Sequence, residues 1–250
     1  GGDDASKGNI IDDGSTYSTI GGGTTNTIDN ASTHSIVAGG DTNKIIDASG
    51  AAPSTYSSIG GGRYNLIDNG STYSVISGGG GDDASKGNII DDGSTYSAIG
   101  GGSLNKINDT TSGAPSEYSV VAGGYSNEID HSPSSVISGG YENKIESENG
   151  FIGGGVDNDI GTMSSLSVIC GGGDDGGGGA LVGNSISGST MSVIGGGSGN
   201  AIKVTSGKSV IAGGTINVIE SSTESVICGG TGNNVVSSPL GCVVSGSANM

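Results

Sequence analysis

The sequence has few of the residues from which most globular cores are built. Tryptophan is absent, phenylalanine occurs once, and aromatic residues make up 4% of the 250 positions. Proline occurs only four times. Apolar residues come in short groups, far below the roughly 20 in a row that a membrane-spanning helix needs. We therefore expect neither a core of large side chains nor insertion into a membrane.

Cysteine is also scarce, with three residues in the chain. Cys170 and Cys228 hold the same position of a repeat three copies apart. That separation is roughly 14 Å at a strand spacing of about 4.8 Å, which is too far for a disulfide. Because no Cys-x-x-Cys occurs, we predict neither a disulfide framework nor a zinc site. Contact between cysteines of different chains would require a symmetric oligomer with these residues near its axis.

A shortage of basic residues leaves the chain strongly acidic. Lys and Arg total 8 against 25 Asp and Glu, a formal net charge of −17. Residues 1–160 hold 21 of the acids and 6 of the bases. A surface of this sign repels phosphate backbones and anionic lipids. We therefore expect no nucleic-acid partner, and we interpret the acidity as a device for the solubility of an elongated surface.

The abundant features are glycine, at 54 residues, and a repeat that fills the chain. The repeat reads Ser-x-Ile-small-Gly-Gly-x-x-Asn-x-Ile and recurs thirteen times at spacings of 15 to 25 residues. Its Ser-x-Ile position is always Ile or Val: Ile20, Val37, Ile59, Ile76, Ile99, Val121, Ile137, Ile152, Ile169, Ile194, Ile211, Ile227 and Val244. A fixed motif with variable lengths only between copies is typical of a stacked solenoid. We predict an all-β fold, a parallel β-solenoid of about 13 coils.

The repeat also bears on the extent of the protein. Residues Gly1–Ser18 recur letter for letter as Gly80–Ser97, a shift of 79 residues or four repeats. The chain starts and stops within a repeat and has no capping element, and open solenoid ends expose unpaired strand edges. We predict a single repeat solenoid over residues 1–250 that is a segment of a longer chain.

Side-chain alternation along a strand divides the Ser-x-Ile segment into two faces. In one copy, Ile169 faces one way while Val168 and Cys170 face the other. The Ile169 position predicts a buried internal ladder, whose other members include Ile20, Ile59, Ile76 and Ile99. The opposite face is apolar and tight, and sheets that are apolar on both faces are usually covered on both. We expect the cover to be another subunit.

Gly-Gly then permits a sharp turn with positive φ, and an Asn follows in nearly every copy: Asn26, Asn43, Asn65, Asn88, Asn105, Asn127, Asn143, Asn158, Asn184, Asn200, Asn217 and Asn233. Stacked Asn amides hydrogen-bond from coil to coil, and Asn tolerates left-handed φ. We predict a structural Asn ladder, with a binding role as the alternative. The Ile two residues later closes the core from a second strand, whose other face is exposed to water.

The consensus Ser-Val-Ile-Gly-Gly-Gly-x-x-Asn-x-Ile resembles the head repeats of YadA-like trimeric autotransporter adhesins and similar arrays in phage tail-fibre proteins. The resemblance covers essentially the whole chain. It implies a left-handed parallel β-roll in which three chains form a homotrimer, intertwined or side by side around one axis. The sequence departs from that family in its period, because most copies are 15–17 residues long and several carry longer insertions.

Five tyrosines stand directly before the motif serine: Tyr17, Tyr56, Tyr73, Tyr96 and Tyr118; His34 takes that place in one copy. They predict a column beside the inserted loops, which in solenoids often emerge on the binding face. In one interpretation the rings stack on one another and shield the coil edges. In the other they bind the sugars of a host surface glycan or receptor. Tyr73→Ala and Tyr96→Ala would then weaken binding and leave thermal stability nearly intact.

The acid pairs Asp82-Asp83 and Asp174-Asp175 are weak candidate calcium ligands, since calcium takes several oxygen ligands. The nine-residue period of calcium-binding β-rolls is absent, and we expect no other cofactor. Neither His34 nor His131 stands in a nucleophile constellation. We therefore predict no catalytic residues and no enzyme activity in this segment.

Together these features favour a structural or adhesive fibre segment of a virus, such as a phage tail fibre, or of a cell-surface appendage. We expect it outside the cell or on the virion surface, presenting loops for attachment. Two alternatives stay open: a purely structural extracellular filament or coat protein, and a polysaccharide-degrading tailspike whose paired acids hydrolyse glycosides. Binding to host glycans would distinguish the adhesive fibre from the purely structural filament. Release of new reducing ends from a polysaccharide would identify the tailspike enzyme.

Overall fold

The computed structural model describes residues 8–12, 14–50, 52–109, 115–173 and 182–247. These residues form two- and three-residue β-strands joined by turns, with a 3-10 turn at Ala84–Lys86. Within these ranges there is no α-helix, and no helical segment has the length and apolar character to cross a membrane. The chain divides into two compact units, Gly1–Ser134 and Ser135–Met250, which we call the N-terminal and C-terminal units.

In the N-terminal unit, two strands per coil alternate between two parallel sheets. The odd-numbered strands are β1 (Ile10–Ile11), β3 (Thr27–Ile28), β5 (Lys44–Ile45), β7 (Leu66–Ile67), β9 (Ile89–Ile90), β11 (Lys106–Asn108) and β13 (Glu128–Asp130). The even-numbered strands are β2 (Thr19–Ile20), β4 (Ile36–Val37), β6 (Ser58–Ile59), β8 (Val75–Ile76), β10 (Ala98–Ile99) and β12 (Val120–Val121). Each strand pairs in parallel with the strand of the same sheet one coil away.

The C-terminal unit repeats this arrangement. Its even-numbered strands are β14 (Val136–Ile137), β16 (Phe151–Ile152), β18 (Val168–Ile169), β20 (Val193–Ile194), β22 (Val210–Ile211), β24 (Val226–Ile227) and β26 (Cys242–Val243). Its odd-numbered strands are β15 (Lys144–Ile145), β17 (Asp159–Ile160), β19 (Ser185–Ser187), β21 (Ala201–Lys203), β23 (Val218–Glu220) and β25 (Asn234–Val236). Pairing is again parallel between successive coils. The predicted all-β, parallel β-solenoid fold is confirmed in both units.

Each strand contributes one inward aliphatic residue to the core. The register aligns Ile99 with Ile76 on one side and with Val121 on the other, and these three side chains are 0% exposed. The predicted ladder is therefore confirmed, as is the second ladder in the odd-numbered strands, where Ile28 and Ile45 are also 0% exposed. Ile20, in the first even-numbered strand, is only half-buried. Full burial of one such side chain stabilises the fold by about 1.5–3 kcal/mol.

The last copy of the motif is shifted by one residue from its predicted position. Ile227 pairs with Val243 rather than Val244, and Val244 is 72% exposed. In this copy Gly241 replaces the motif serine, and two valines follow Cys242. The pairing of Cys242 with Val226 places Val243, and not Val244, beside Ile227. A slip of one residue would turn every side chain of the strand to the opposite face.

The Asn ladder holds successive coils together through side-chain amides. Asn65 donates from its backbone N–H and from Nδ2 to Asn43 Oδ1 over 3.1 and 3.0 Å. Its Nδ2 also lies within hydrogen-bond distance of the carbonyl oxygens of Gly61 and Gly79. The same pattern recurs in the C-terminal unit. Asn9 is a further member, since its Oδ1 accepts from Asn26. The structural role predicted for this ladder is confirmed.

Left-handed backbone occurs beside the ladder Asn rather than at it. Tyr64, directly before Asn65, has φ 59°, whereas the ladder Asn residues have no positive φ. The glycine of the turn is also required. Gly102 has φ +81°, and a Cβ placed on it would collide with the carbonyl of Gly124 in the next coil and lie 2.8 Å from Asn105 Nδ2. Glycine at this position therefore permits both the turn and the close approach of the coils.

Candidate functional site

The residue before each motif serine projects from a left-handed corner of the coil. Tyr56, Tyr73 and Tyr96 each have φ 56°. The Tyr73 N–H donates to the carbonyl of Thr55 in the preceding coil over 3.0 Å, and Tyr96 does the same to Thr72. A left-handed backbone costs a non-glycine residue about 1–2 kcal/mol. The hydrogen bond to the neighbouring coil fixes this corner, so that successive side chains leave the solenoid in one direction.

In the N-terminal unit these side chains form an aromatic column, which consists of Tyr17, His34, Tyr56, Tyr73, Tyr96 and Tyr118. Neighbouring ring centroids are 4.7–5.0 Å apart and the ring planes differ by 3–19°. The predicted column is confirmed, including the place of His34 and the mutual stacking of the rings. Offset stacking of this kind contributes about 0.5–1.5 kcal/mol per pair beyond the buried area.

The stacking decides which parts of the rings can meet a ligand. Each inner ring has another ring against both of its faces, so it presents its edge and hydroxyl to solvent. Tyr73 remains 47% exposed and Tyr96 50% exposed. Only the end rings, Tyr17 and Tyr118, have a face without a ring partner in the column. A sugar laid along the column would therefore contact hydroxyl groups and ring edges. The binding role of the five tyrosines stays a prediction.

The C-terminal unit uses the same left-handed corner without aromatic residues. The position is held by Asn149, Leu166, Met191, Lys208, Glu224 and Leu240, all with positive φ. Lys208 Nζ and Glu224 Oε1 form an exposed ion pair at 3.4 Å. Met191, Lys208 and Glu224 line a shallow cavity of about 430 Å³ there. The corner is therefore common to the fold, and the rings are a feature of the N-terminal unit.

The outward side of the even-numbered strands, which we call the even-strand outer face, carries no charged residue in the described coils. In the N-terminal unit it includes Thr19, Ile36, Ser58, Val75, Ala98 and Val120; in the C-terminal unit it includes Val136, Phe151, Val168, Val193, Val210, Val226 and Cys242. Small residues such as Ala38 and Ala212 flank this row and are exposed. Ile36 is 47% and Val75 40% exposed. Cys170, Cys228 and Cys242 lie on this face as exposed free thiols.

The candidate calcium ligands Asp82 and Asp83 lie at the 3-10 turn and are paired with a lysine. Lys86 Nζ is 2.5 Å from Asp82 Oδ1 and 3.3 Å from Asp83 Oδ2. The hydrogen bond from Lys86 lowers the pKa of Asp82, and that from Ser85 lowers the pKa of Asp83. Both carboxylates thus form ion pairs with the Lys86 ammonium group. The other candidates, Asp174 and Asp175, lie outside the described residues.

Among the residues that the structure describes, one carboxyl group in each unit has a raised pKa of about 6. Burial raises the pKa of Asp91 to about 6, and the neighbouring carboxylates of Asp92 and Asp68 act in the same direction. Burial likewise raises the pKa of Asp159 to about 6, with a further contribution from Glu146. Oδ1 of Asp159 is buried and accepts no hydrogen bond. Asp91 directly follows the odd-numbered strand β9, and Asp159 lies in the odd-numbered strand β17.

Sequence reasoning missed a third group of titratable residues. His131 Nε2 lies 2.5 Å from Asp109 Oδ1, and its Nδ1 lies 2.8 Å from Asp130 Oδ1. These residues follow the core residues Ile107 and Ile129 at equivalent positions of successive coils. Aligning the repeats on the odd-strand isoleucines would have placed Asp109 beside His131. The Ser-x-Ile motif marks the even-numbered strands, and the insertions of unequal length between those strands hide this relationship.

Comparison of the sequence with known proteins does not assign the chain to a family. No protein-family model matches the sequence, and no curated protein matches it. Neither the resemblance to YadA-like head repeats nor that to phage tail-fibre arrays is supported by a match, and both stay predictions.

Proposed function

We propose that this chain is a stiff adhesive fibre segment, displayed on a virus particle or a cell-surface appendage, that attaches to a host surface through the aromatic column. The continuous stack of six rings is the observation that carries the proposal. The solenoid interior does not require the rings, because the C-terminal unit has the same interior with Asn, Leu, Met, Lys and Glu at that corner.

The geometry of the column favours a polymer rich in hydroxyl groups, such as a surface polysaccharide. From Tyr56 to Tyr118 the tyrosine ring centroids repeat every 4.9–5.0 Å, each ring with one phenol hydroxyl, and His34 interrupts the series after Tyr17. Each neutral hydrogen bond contributes only about 0.5–1.5 kcal/mol. When several such hydrogen bonds form on one rigid element, their free energies add, because the protein loses no further conformational freedom on binding. Many weak contacts can then together give firm attachment.

The test separates ligand contact from stacking. Tyr73→Phe with Tyr96→Phe keeps both rings and removes only the exposed hydroxyls. We expect weaker retention on immobilised lipopolysaccharide and capsular polysaccharide, with an unchanged melting temperature. Tyr64→Phe is the matched control, because Tyr64 lies outside the column beneath the Arg63 guanidinium. Retention of the double variant equal to that of the parent on every polysaccharide that binds the parent would contradict an attachment role for the column.

A purely structural filament is the second candidate, and the covered ring faces favour it. Rings that stack on one another stabilise neighbouring coils whether or not a ligand exists. In that case the parent chain would bind none of the polysaccharides, and Tyr73→Ala would lower only the melting temperature.

We further propose that three copies of the chain associate through the even-strand outer face. The absence of charge from this face supports the proposal, because the chain carries 33 charged residues elsewhere. Small residues beside the valine row allow a neighbouring chain to approach closely. Val168→Asp and Val210→Asp should give a folded monomer in sedimentation experiments, since each places an unpaired charge in the interface. A parent chain that sediments as a well-folded monomer would overturn this proposal.

A further inference from the structure

The cysteines lie on one face of the C-terminal unit, and no two of them can pair within one chain. Cys170, Cys228 and Cys242 are exposed free thiols on the even-strand outer face. Cys242 pairs with Val226, so Cys228 is one strand spacing away and two residues further along. With a spacing of about 4.8 Å and a rise of about 3.3 Å per residue, their Cα atoms are about 8 Å apart. A disulfide spans roughly 4.4–6.8 Å. Cys170 is three coils from Cys228, which is farther still.

Exposed thiols without a partner are unusual for a protein of the proposed kind. Free cysteine is among the most buried residue types, and disulfides form and persist outside the cell and on virion surfaces. The inference rests on that proposed location and on the proposed association of copies through the even-strand outer face. Under those conditions, a thiol that cannot pair within its own chain is available to a thiol of another copy.

The place of each thiol along its strand determines which pair can form between copies. Cys228 directly follows β24, whereas Cys242 is the first residue of β26. When copies surround a common axis, the end of an even-numbered strand in one copy approaches the beginning of such a strand in the next copy. Cys228 of one copy then approaches Cys242 of its neighbour with an offset of one coil, about 4.8 Å along the axis. This offset is compatible with the Cα separation in a disulfide.

We propose that Cys228 of one copy and Cys242 of the next form a disulfide, and that this bond, repeated around the axis, links three copies covalently. Each bond forms when two thiols lose two protons and two electrons to a low-molecular-weight disulfide such as oxidised glutathione, which is reduced to two thiols. Each copy contributes Cys228 to one neighbour and Cys242 to the other. Three bonds therefore close the assembly and use all of these thiols.

Cys170 is excluded from this pairing by the residues of the coils around it. It directly follows β18, the same position that Cys228 holds after β24. The first residue of its own strand is Val168, and the even-numbered strands one coil away begin with Phe151 and Val193. No cysteine therefore stands where the thiol of Cys170 would meet a neighbouring copy. Cys170 is the matched control for Cys228, because both are exposed on the same face.

The experiment oxidises the 250-residue chain with oxidised glutathione and examines it by non-reducing gel electrophoresis and peptide mass spectrometry. We expect a covalent trimer that dithiothreitol converts to monomer, and a linked peptide that contains Cys228 and Cys242. One thiol per chain should still react with Ellman's reagent. Cys170→Ser should form the covalent trimer as the parent does, whereas Cys228→Ser and Cys242→Ser should each abolish it. Circular dichroism checks that each variant is folded.

Co-expression of two variants tests whether unlike cysteines pair. Cys228→Ser and Cys242→Ser, carrying different affinity tags, should become linked to each other after oxidation, because one still supplies Cys242 and the other Cys228. Neither variant should become linked to copies of itself. Linkage between copies of Cys242→Ser would mean that Cys228 pairs with its own counterpart or with Cys170, and it would overturn the proposed pairing.

Sedimentation under reducing conditions distinguishes failure of the disulfide from failure of the proposed assembly. A parent chain that sediments as a trimer, but yields no peptide linking Cys228 to Cys242 after oxidation, overturns the disulfide and leaves the proposed assembly unaffected. A parent chain that is monomeric both before and after oxidation overturns both. The disulfide is equally overturned if Cys170→Ser loses the covalent trimer.

Discussion

The two units have the same interior and different surfaces. Inside, both contain two aliphatic ladders and an Asn ladder with the same hydrogen bonds. Outside, the N-terminal unit carries the aromatic column and 16 acids against 5 bases, whereas the C-terminal unit has no ring column and 9 acids against 3 bases. The valine row of the even-strand outer face is nearly continuous only in the C-terminal unit. The repeat thus fixes the inward positions and leaves the outward ones free for function.

The strongest test of the shared interior is a charge placed in the aliphatic ladder. Ile99→Asp in the N-terminal unit and Ile194→Asp in the C-terminal unit should each unfold the surrounding coils. Both positions are 0% exposed, and an unpaired buried charge costs several kcal/mol. Circular dichroism and limited proteolysis would detect the loss of structure. If either variant melts like the parent, the two interiors are not equivalent.

A smaller but equal effect is expected from the Asn ladder. Asn105→Leu and Asn200→Leu remove the acceptor used by the next Asn and leave glycine carbonyls without their side-chain donor. Each buried group left without a partner costs about 1–3 kcal/mol. Thermal denaturation should show a similar fall in melting temperature for both variants. A clear difference would mean that the ladder stabilises one unit more than the other.

At the left-handed corner, unlike in the interior, we expect equivalent substitutions to affect the stability of the two units differently. Tyr73→Ala removes two ring contacts, which are together worth about 1–3 kcal/mol, whereas Met191→Ala at the same corner removes none. This revises the expectation that Tyr73→Ala leaves stability nearly intact, because the rings prove to stack closely. Differential scanning calorimetry should show a lower melting temperature only for the tyrosine variant. Equal shifts would show that the stack contributes no stability of its own.

The smallest effect concerns pH, and it should occur in both units. The raised pKa values of about 6 at Asp91 and Asp159, against an ordinary value of 3.8, mean that the folded state binds protons that the unfolded state releases. The contribution of these two groups to the free energy of unfolding should therefore be fully present below about pH 4 and be lost as the pH rises through 6. Asp91→Asn and Asp159→Asn should each reduce the difference in melting temperature between pH 4 and pH 7. An unchanged difference in both variants would contradict the raised pKa values.

The interior could be predicted from the sequence because a repeat multiplies weak signals. A single Gly-Gly-x-x-Asn means little, but twelve Asn residues at one position indicate a site that only this amide satisfies. The one error in the ladder, Val244 in place of Val243, fell where Gly241 replaces the serine that marks the register. Pairing with the neighbouring coil, which spacing alone does not reveal, decided that position.

The candidate sites were predicted less completely, because each depends on contacts across coils of unequal length. The tyrosine column followed from a fixed position beside the motif. The direction of its ring faces did not, since that depends on the left-handed corner and the coil spacing. Asp109 and His131 are separated by an insertion in the sequence, and only strand pairing brings them together.

The direction of the Asn ladder gives each unit an electrical polarity. Between successive coils of each unit, the Asn oxygen of the earlier coil accepts from the Asn of the later coil, as Asn43 Oδ1 accepts from Asn65 and Asn184 Oδ1 from Asn200. Backbone dipoles largely cancel within a sheet, but these side-chain dipoles are aligned and therefore add, as peptide dipoles do along an α-helix. The two ends of a unit thus carry partial charges of opposite sign, positive toward lower residue numbers and negative toward higher ones.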